Sequence, residues 1–201
     1  MTESPEPTTA RRPVLLGRGD VPSLVCALIL EQEFGSGIRI RHLTGESDAA
    51  AAARESAAVR QAALLDTEPE RSAAEPGRPA ALGRLLDGLL AAGPEEFLVW
   101  PVRTGPDPEQ VRLELELAQH LARAVGIALG RPATPIDTPL IDLEAAQVLE
   151  MAVDLGAPLE AAWPCEQGGV TPCGTCGDCR LWMEAARSLG QEVPWETPQE
   201  V

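Results

Sequence analysis

The chain has 201 residues, 44% of them hydrophobic and 3% aromatic, and a formal net charge of −15 from 31 acidic and 16 basic residues. All 16 basic residues are Arg, so Lys Schiff-base chemistry and a Lys ammonium on a phosphate are excluded. So acidic a balance argues against general nucleic-acid binding and against a polybasic membrane anchor, and no apolar run reaches the ~20 residues of a membrane span.

Residues 1–12 are polar and rich in Pro, which predicts a disordered tail. They lack the basic and apolar regions of a signal peptide, so a cytoplasmic address is expected. Residues 13–16 are apolar and run into Gly17-Arg18-Gly19-Asp20, which reads as a first strand ending in a glycine turn. Pro22 and Ser23 open a helix carrying Leu24, Val25, Ala27, Leu28 and Leu30, and Gly35 stops it. Alternation over residues 37–43 puts Ile38, Ile40 and His42 on one face of a second strand.

Residues 47–65 are Ala-rich and helical by propensity, and the polar residues 66–79, with three prolines, read as a mobile loop. A helix over 80–92 and a strand over 97–100 follow. Pro108 then opens a long helix whose inward stripe is Val111, Leu115, Ala118, Ala122 and Val125. A fourth strand is expected over 133–136 and a further helix over 143–155. Short strands alternating with longer helices predict a parallel sheet with helices on both faces. Ligands of such sheets bind at the carboxyl ends of the strands, so the loop from Gly17 to Pro22 is the first place to look for a site.

The densest chemistry lies near the carboxyl end, where Cys165, Cys173, Cys176 and Cys179 are spaced C-x7-C-x2-C-x2-C among Gly and Pro. C-x2-C lets one turn present two thiolates to one ion, and four thiolates suit a closed structural zinc site. Disulfides, a redox pair within Cys173, Cys176 and Cys179, and an iron–sulfur cluster are the alternatives the spacing leaves open. Cys26 sits among Leu24, Val25, Leu28 and Ile29 and reads as a buried apolar residue. Arg18 reads as a solvated loop residue or as a bidentate ligand for a phosphate or carboxylate. His42 and His120 stand alone, in structural or surface roles, and Trp195 is placed to dock on the domain from an otherwise solvated acidic tail over 191–201.

Residues 135–190 resemble the carboxyl-terminal half of the 7-cyano-7-deazaguanine synthases, QueC/ExsB-like members of the PP-loop superfamily. The resemblance rests on Thr138-Pro139-Leu140 and Leu155-Gly156. It continues through Trp163-Pro164-Cys165, Pro172-Cys173-Gly174-Thr175-Cys176-Gly177-Asp178-Cys179-Arg180 and Gly190. It implies an adenine-nucleotide α-hydrolase-like, Rossmann-like α/β domain over 13–160 and a small zinc-binding subdomain over 161–190. By the same resemblance one structural zinc ion per chain is held by the four cysteines, and ATP with Mg²⁺ activates a small-molecule deazaguanine carboxylate that becomes a nitrile.

At the place of the family's Ser-Gly-Gly-x-Asp-Ser loop this chain has Gly17-Arg18-Gly19-Asp20-Val21-Pro22-Ser23. Gly17, Gly19, Asp20 and Ser23 are what matches of a nucleotide loop, while Arg18 crowds it and Pro22 removes an amide donor. No catalytic residue is assigned. The competing expectation is a non-catalytic zinc-containing binding or assembly protein that keeps the fold, and a homodimer is left open.

Overall fold

The computed structural model describes residues 11–44, 50–73 and 80–195. The expected disordered tail lies outside that range up to residue 10, and Arg12 already belongs to the sheet. Five strands form one parallel sheet: β1 (Arg12–Leu16), β2 (Arg39–Thr44), β3 (Glu70–Ala73), β4 (Glu96–Val99) and β5 (Ile136–Asp137). Their spatial order is β3-β2-β1-β4-β5. This is the order of a Rossmann-type doubly wound sheet, with its switch point between β1 and β4.

The helices are α1 (Val21–Phe34), α2 (Ala51–Leu64), α3 (Ala80–Ala91), α4 (Pro108–Ala128), α5 (Ala145–Asp154) and α6 (Gly177–Leu189). Alternation along β1 explains the layers. Leu15 points into a core shared with α1, α5 and α6, whereas Val14 and Leu16 point into a core shared with α3 and α4. In β4, Val99 joins the first core and Leu98 the second. Caps set the helix ends. The Asp20 carboxylate accepts from the Ser23 amide at the start of α1 (3.1 Å), and the Asp107 carboxylate accepts from the Glu109 amide at the start of α4 (2.9 Å).

Ile40 and His42 on β2, and Ile38 just before it, are buried as the alternation predicts. The other face carries Arg39 and Arg41, whose ion pairs organise the sheet edge. Arg39 binds Glu70 (2.6 Å) and Glu96, and Arg41 binds Glu70 (3.3 Å) and Asp87 on α3 (3.0 Å).

The mobile loop expected over 66–79 is corrected in part. Glu70 to Ala73 form β3, paired in parallel with β2, while residues 74–79 lie outside the described range. The sequence Glu-Arg-Ser-Ala has no apolar alternation to announce a strand; ion pairs to Arg39 and Arg41 hold it instead. Two smaller corrections concern the carboxyl side. The fourth strand expected over 133–136 is only Ile136–Asp137, because its edge pairs with just Leu98 and Val99. The stretch from Glu192 is not wholly solvated: Val193 and Trp195 are buried in the first core, and residues 196–201 lie outside the described range. Among the described residues, no helix is long and apolar enough to cross a membrane.

Candidate metal centre and arginine-lined pocket

The segment after α5 turns through a 3-10 turn (Leu159–Ala161) and is tied to the β1 loop. The Trp163 amide donates to the Gly19 carbonyl at 2.8 Å, and the Gln61 side-chain amide donates to the carbonyls of Asp20 (3.0 Å) and Ala161 (3.3 Å). Cys165 follows at once. A tight turn, with Gly174 at φ +71°, then brings Cys173 and Cys176 together, and Cys179 projects from the first turn of α6.

The four cysteine sulfurs lie within 4.8 Å of one another, and none is in a disulfide. Sγ of Cys165 and Sγ of Cys176 are 3.9 Å apart. Four sulfurs around one ion at about 2.3 Å sit about 3.8 Å from each other, so the quartet has single-ion dimensions. Backbone amides point at the sulfurs: Gln167 and Cys173 donate to Cys165 (3.2 and 3.4 Å), and Cys176 donates to Cys173 (3.3 Å). Such N–H···S contacts stabilise thiolates, which are the metal-binding form.

The Thr175 hydroxyl, followed by the Thr175 and Cys176 amides, brings the exposed Cys173 thiol down to about 6. Burial pushes the Cys165 and Cys179 thiols up. With their sulfurs this close together, the four cysteines could hold a metal ion. Cys26 is fully buried in the first core, as the sequence predicts, and stands apart from this site.

The residues expected to form the nucleotide loop are brought together at the carboxyl end of β1. Gly17 packs against Ile40, where an added Cβ would come within 2.9 Å of its Cγ2. Gly19, at φ +79°, lies so close to α2 that a Cβ would meet the Arg54 carbonyl at 2.3 Å. The Ser23 hydroxyl donates to the Asp20 carboxylate (2.6 Å) and accepts from the Arg18 amide (2.9 Å). The loop's polar groups therefore bond one another. His42 is also structural in position: its ring Nδ1 donates to the Gly17 carbonyl at 3.0 Å.

Beside the loop, across the carboxyl ends of β1 and β4, lies a cleft of about 200 Å³. Arg18, Arg54, Arg84 and Arg103 converge on it against two aspartates, Asp20 and Asp178, with Trp100, Trp163 and Trp182 as walls. A positive pocket in a chain of net charge −15 is a local reversal of sign. Arg54 is buried and donates to the Cys165 carbonyl at 3.4 Å, so the pocket and the cysteine site share a wall. The Arg103 guanidinium lies 5.8 Å from the centroid of the Trp182 ring, and burial lowers its pKa from the usual arginine range. Burial, then the Glu166 charge, raises the Asp178 carboxyl.

Sequence reasoning singled out Arg18 alone of the four. Arg54 sits in an Ala-rich helix, Arg84 in a Leu-rich one and Arg103 in a loop, and none carries a motif. The all-arginine basic content was the one signal that could have pointed to them.

The family described as queuosine biosynthesis protein QueC matches residues 110–190, from the first turn of α4 through α6 and all four cysteines. The carboxyl-terminal part of the chain is QueC-like. Similar proteins include the 7-cyano-7-deazaguanine synthases of Persephonella marina, 36% identical over 74 residues (37% of this chain, 33% of that one), and of Nostoc sp. strain PCC 7120, 37% identical over 82 residues (40% and 35%). That of Prochlorococcus marinus strain MIT 9515 is 44% identical over 58 residues (28% and 26%).

The matched part of the chain thus spans about a third of the length of these synthases, and the loop of β1 lies outside it. Two solved structures are similar at 14% identity and a TM-score of 0.49. They are the NMN synthetase of Francisella tularensis, covering 92% of this chain and 79% of that one, and the U34-tRNA thiolase NcsA of Methanococcus maripaludis with its [4Fe-4S] cluster, covering 96% and 77%.

Proposed function

We propose that this QueC-like chain binds a small, planar, anionic ligand in the arginine-lined pocket, with a zinc ion in the cysteine quartet holding the pocket's carboxyl-terminal wall. The deazaguanine carboxylate and adenine nucleotide implied by the synthase family are the ligands first in line. The observation that carries the reading is the convergence of Arg18, Arg54, Arg84 and Arg103 at the switch point of the sheet. Guanidinium groups bind carboxylate and phosphate bidentately, and indole walls accept a heteroaromatic ring. Arginine side chains take over the anion-binding task that backbone amides perform in a glycine loop, and this suits a loop whose serine and aspartate bond each other.

Zinc is the proposed ion because the quartet has single-ion dimensions. A four-iron cluster attaches its thiolates to four separate irons and needs a wider cage than sulfurs all within 4.8 Å. With four thiolates bound, the ion has no open position, so its contribution is structural.

Titration calorimetry with 7-carboxy-7-deazaguanine, and separately with ATP and Mg²⁺, tests the ligand, and elemental analysis tests the metal. Heat from either ligand that falls in Arg103→Ala supports the pocket; no heat from either at millimolar concentration removes it. About one zinc per chain is expected, and a brown iron-containing protein would overturn that assignment. The Ser23–Asp20 bond favours a second reading, a non-catalytic binding or assembly protein that keeps the fold and the metal. Mass-spectrometric detection of the nitrile after incubation with carboxylate, ATP and ammonia separates the two.

A further inference from the structure

A second cavity, of about 370 Å³, opens between α2, the 3-10 turn and the loop that leads from Cys165 to Cys173. Of the residues that line it, only Trp163 also lines the arginine pocket. Trp163 and Trp195 give it indole walls, and Val170, 98% exposed, stands at its rim. The Trp163 indole N–H is used within the fold, donating to the Gln167 carbonyl at 3.2 Å. Trp195 differs. It is 6% exposed, and its buried Nε1–H has no acceptor among the described residues. Buried donors without an acceptor are rare in folded proteins, and one in a cavity wall is paired by a ligand's acceptor after a small turn of the ring.

The polar groups around this cavity are of both signs. Gln61 on α2 donates to the Ala161 carbonyl at 3.3 Å, which keeps α2 and the 3-10 turn together, and their neighbours Arg60 and Glu160 line the same cavity. Among the described residues neither Arg60 nor Glu160 has an ion-pair partner, although they share one cavity. Ser56, one turn before Arg60, donates its hydroxyl to the Ala52 carbonyl at 3.0 Å, so its oxygen is left to accept. The cavity therefore offers donors to a carboxylate, from Arg60 and Trp195, and acceptors to an ammonium, from Glu160 and Ser56. A ligand with one charge would leave the opposite charge of the pair unmatched. A zwitterion matches both, and with no net charge it is not repelled by a chain of net charge −15.

We propose that this cavity is a second ligand site, which takes an α-amino acid with an apolar side chain. Its carboxylate binds the Arg60 guanidinium and the Trp195 N–H, its ammonium binds Glu160 and Ser56, and its side chain lies against the indole rings and Val170. Guanidinium and carboxylate pair bidentately, and indole rings take an apolar group or a second ring on their faces. The site stands apart from the arginine pocket, so the proposal does not depend on the ligand reading above.

The test is titration calorimetry on the full chain with L-phenylalanine as the probe, beside 3-phenylpropionate, which lacks the ammonium, and phenethylamine, which lacks the carboxylate. Submillimolar binding of L-phenylalanine is expected, with each singly charged analogue weaker by about tenfold or more. Arg60 and Glu160 are exposed, so Arg60→Gln and Glu160→Gln keep the fold, which thermal denaturation checks. Each should weaken the amino acid about tenfold, and Trp195→Phe, which keeps a ring and removes the N–H, should weaken it by a smaller factor. No heat from L-phenylalanine at millimolar concentration overturns the proposal. So does an analogue that binds as well as the amino acid. Binding that falls in Arg103→Ala and is unchanged in Arg60→Gln and Glu160→Gln places the probe in the arginine pocket and overturns it as well.

Discussion

The cysteine quartet and the arginine pocket share a wall, yet they are built in opposite ways. The quartet comes from fifteen consecutive residues, Cys165 to Cys179, whose glycines and prolines turn the backbone around one point. The pocket draws Arg18, Arg54, Arg84 and Arg103 from four separate stretches, and only the winding of the sheet brings them to one cleft. A metal site of the first kind can be read from spacing and matched across relatives. A ligand site of the second kind leaves no local pattern, and all four of its arginines lie outside the QueC-like segment.

The largest effect expected from breaking either region is on the quartet. Metal binding to such a site contributes on the order of 10 kcal/mol to ordering its segment. Cys176→Ser, or chelation, should remove the metal and lower the melting temperature sharply, read by elemental analysis and thermal denaturation. Retention of both metal and full stability in that variant would sink the structural role. The next effect is on the β1 loop. Gly19→Val forces a side chain into positive φ and against the Arg54 carbonyl, and urea unfolding should register a loss of about 3 kcal/mol.

Removing one pocket arginine is milder. Arg103→Ala, where the guanidinium lies over Trp182, should weaken anionic-ligand binding by about 1.5 kcal/mol in calorimetry while the metal content stays unchanged. A fall in both would mean that the two sites are one structural unit rather than neighbours.

The smallest effect concerns the far edge of the sheet. Glu70, bonded first to Arg39, has its carboxyl held below the usual 4.5. Glu96 is lowered too, by the Gly93 amide and Arg39, although burial works against it. Folded-state values depressed in this way add stability that is present above about pH 4.5 and is lost as pH falls through the lower, folded-state values. Both Arg39 and Glu70 are partly exposed, so Glu70→Gln should cost under about 1 kcal/mol. Its signature is a flatter dependence of unfolding free energy on pH in the acid range.

How far each element was legible follows from where its signal lies. Pro22 with Ser23, and Pro108, announce α1 and α4 because a fixed φ at a helix start acts within one turn, and the structure adds Asp20 and Asp107 as the caps. The alternation of Ile38, Ile40 and His42 announces β2, since every second side chain of a strand shares a face. Strand β3 stayed hidden because Glu70 to Ala73 owe their place to Arg39 and Arg41, about thirty residues away in the chain. The burial of Trp195 was anticipated, and its place in the core of α1, α5 and α6 is the work of packing.

The sequence by itself determined the alternating α/β plan, the close spacing of the four cysteines and the QueC-like character of residues 135–190, because each is written in short-range spacing. Tertiary structure alone decided the strand order, the ion-paired edge, the bonding of Ser23 to Asp20 and the meeting of four arginines in a chain of opposite net charge. The physical reason is one of range. Caps, turns and periodicity act over a few residues, whereas a pocket at a switch point exists only once the sheet has brought distant segments side by side.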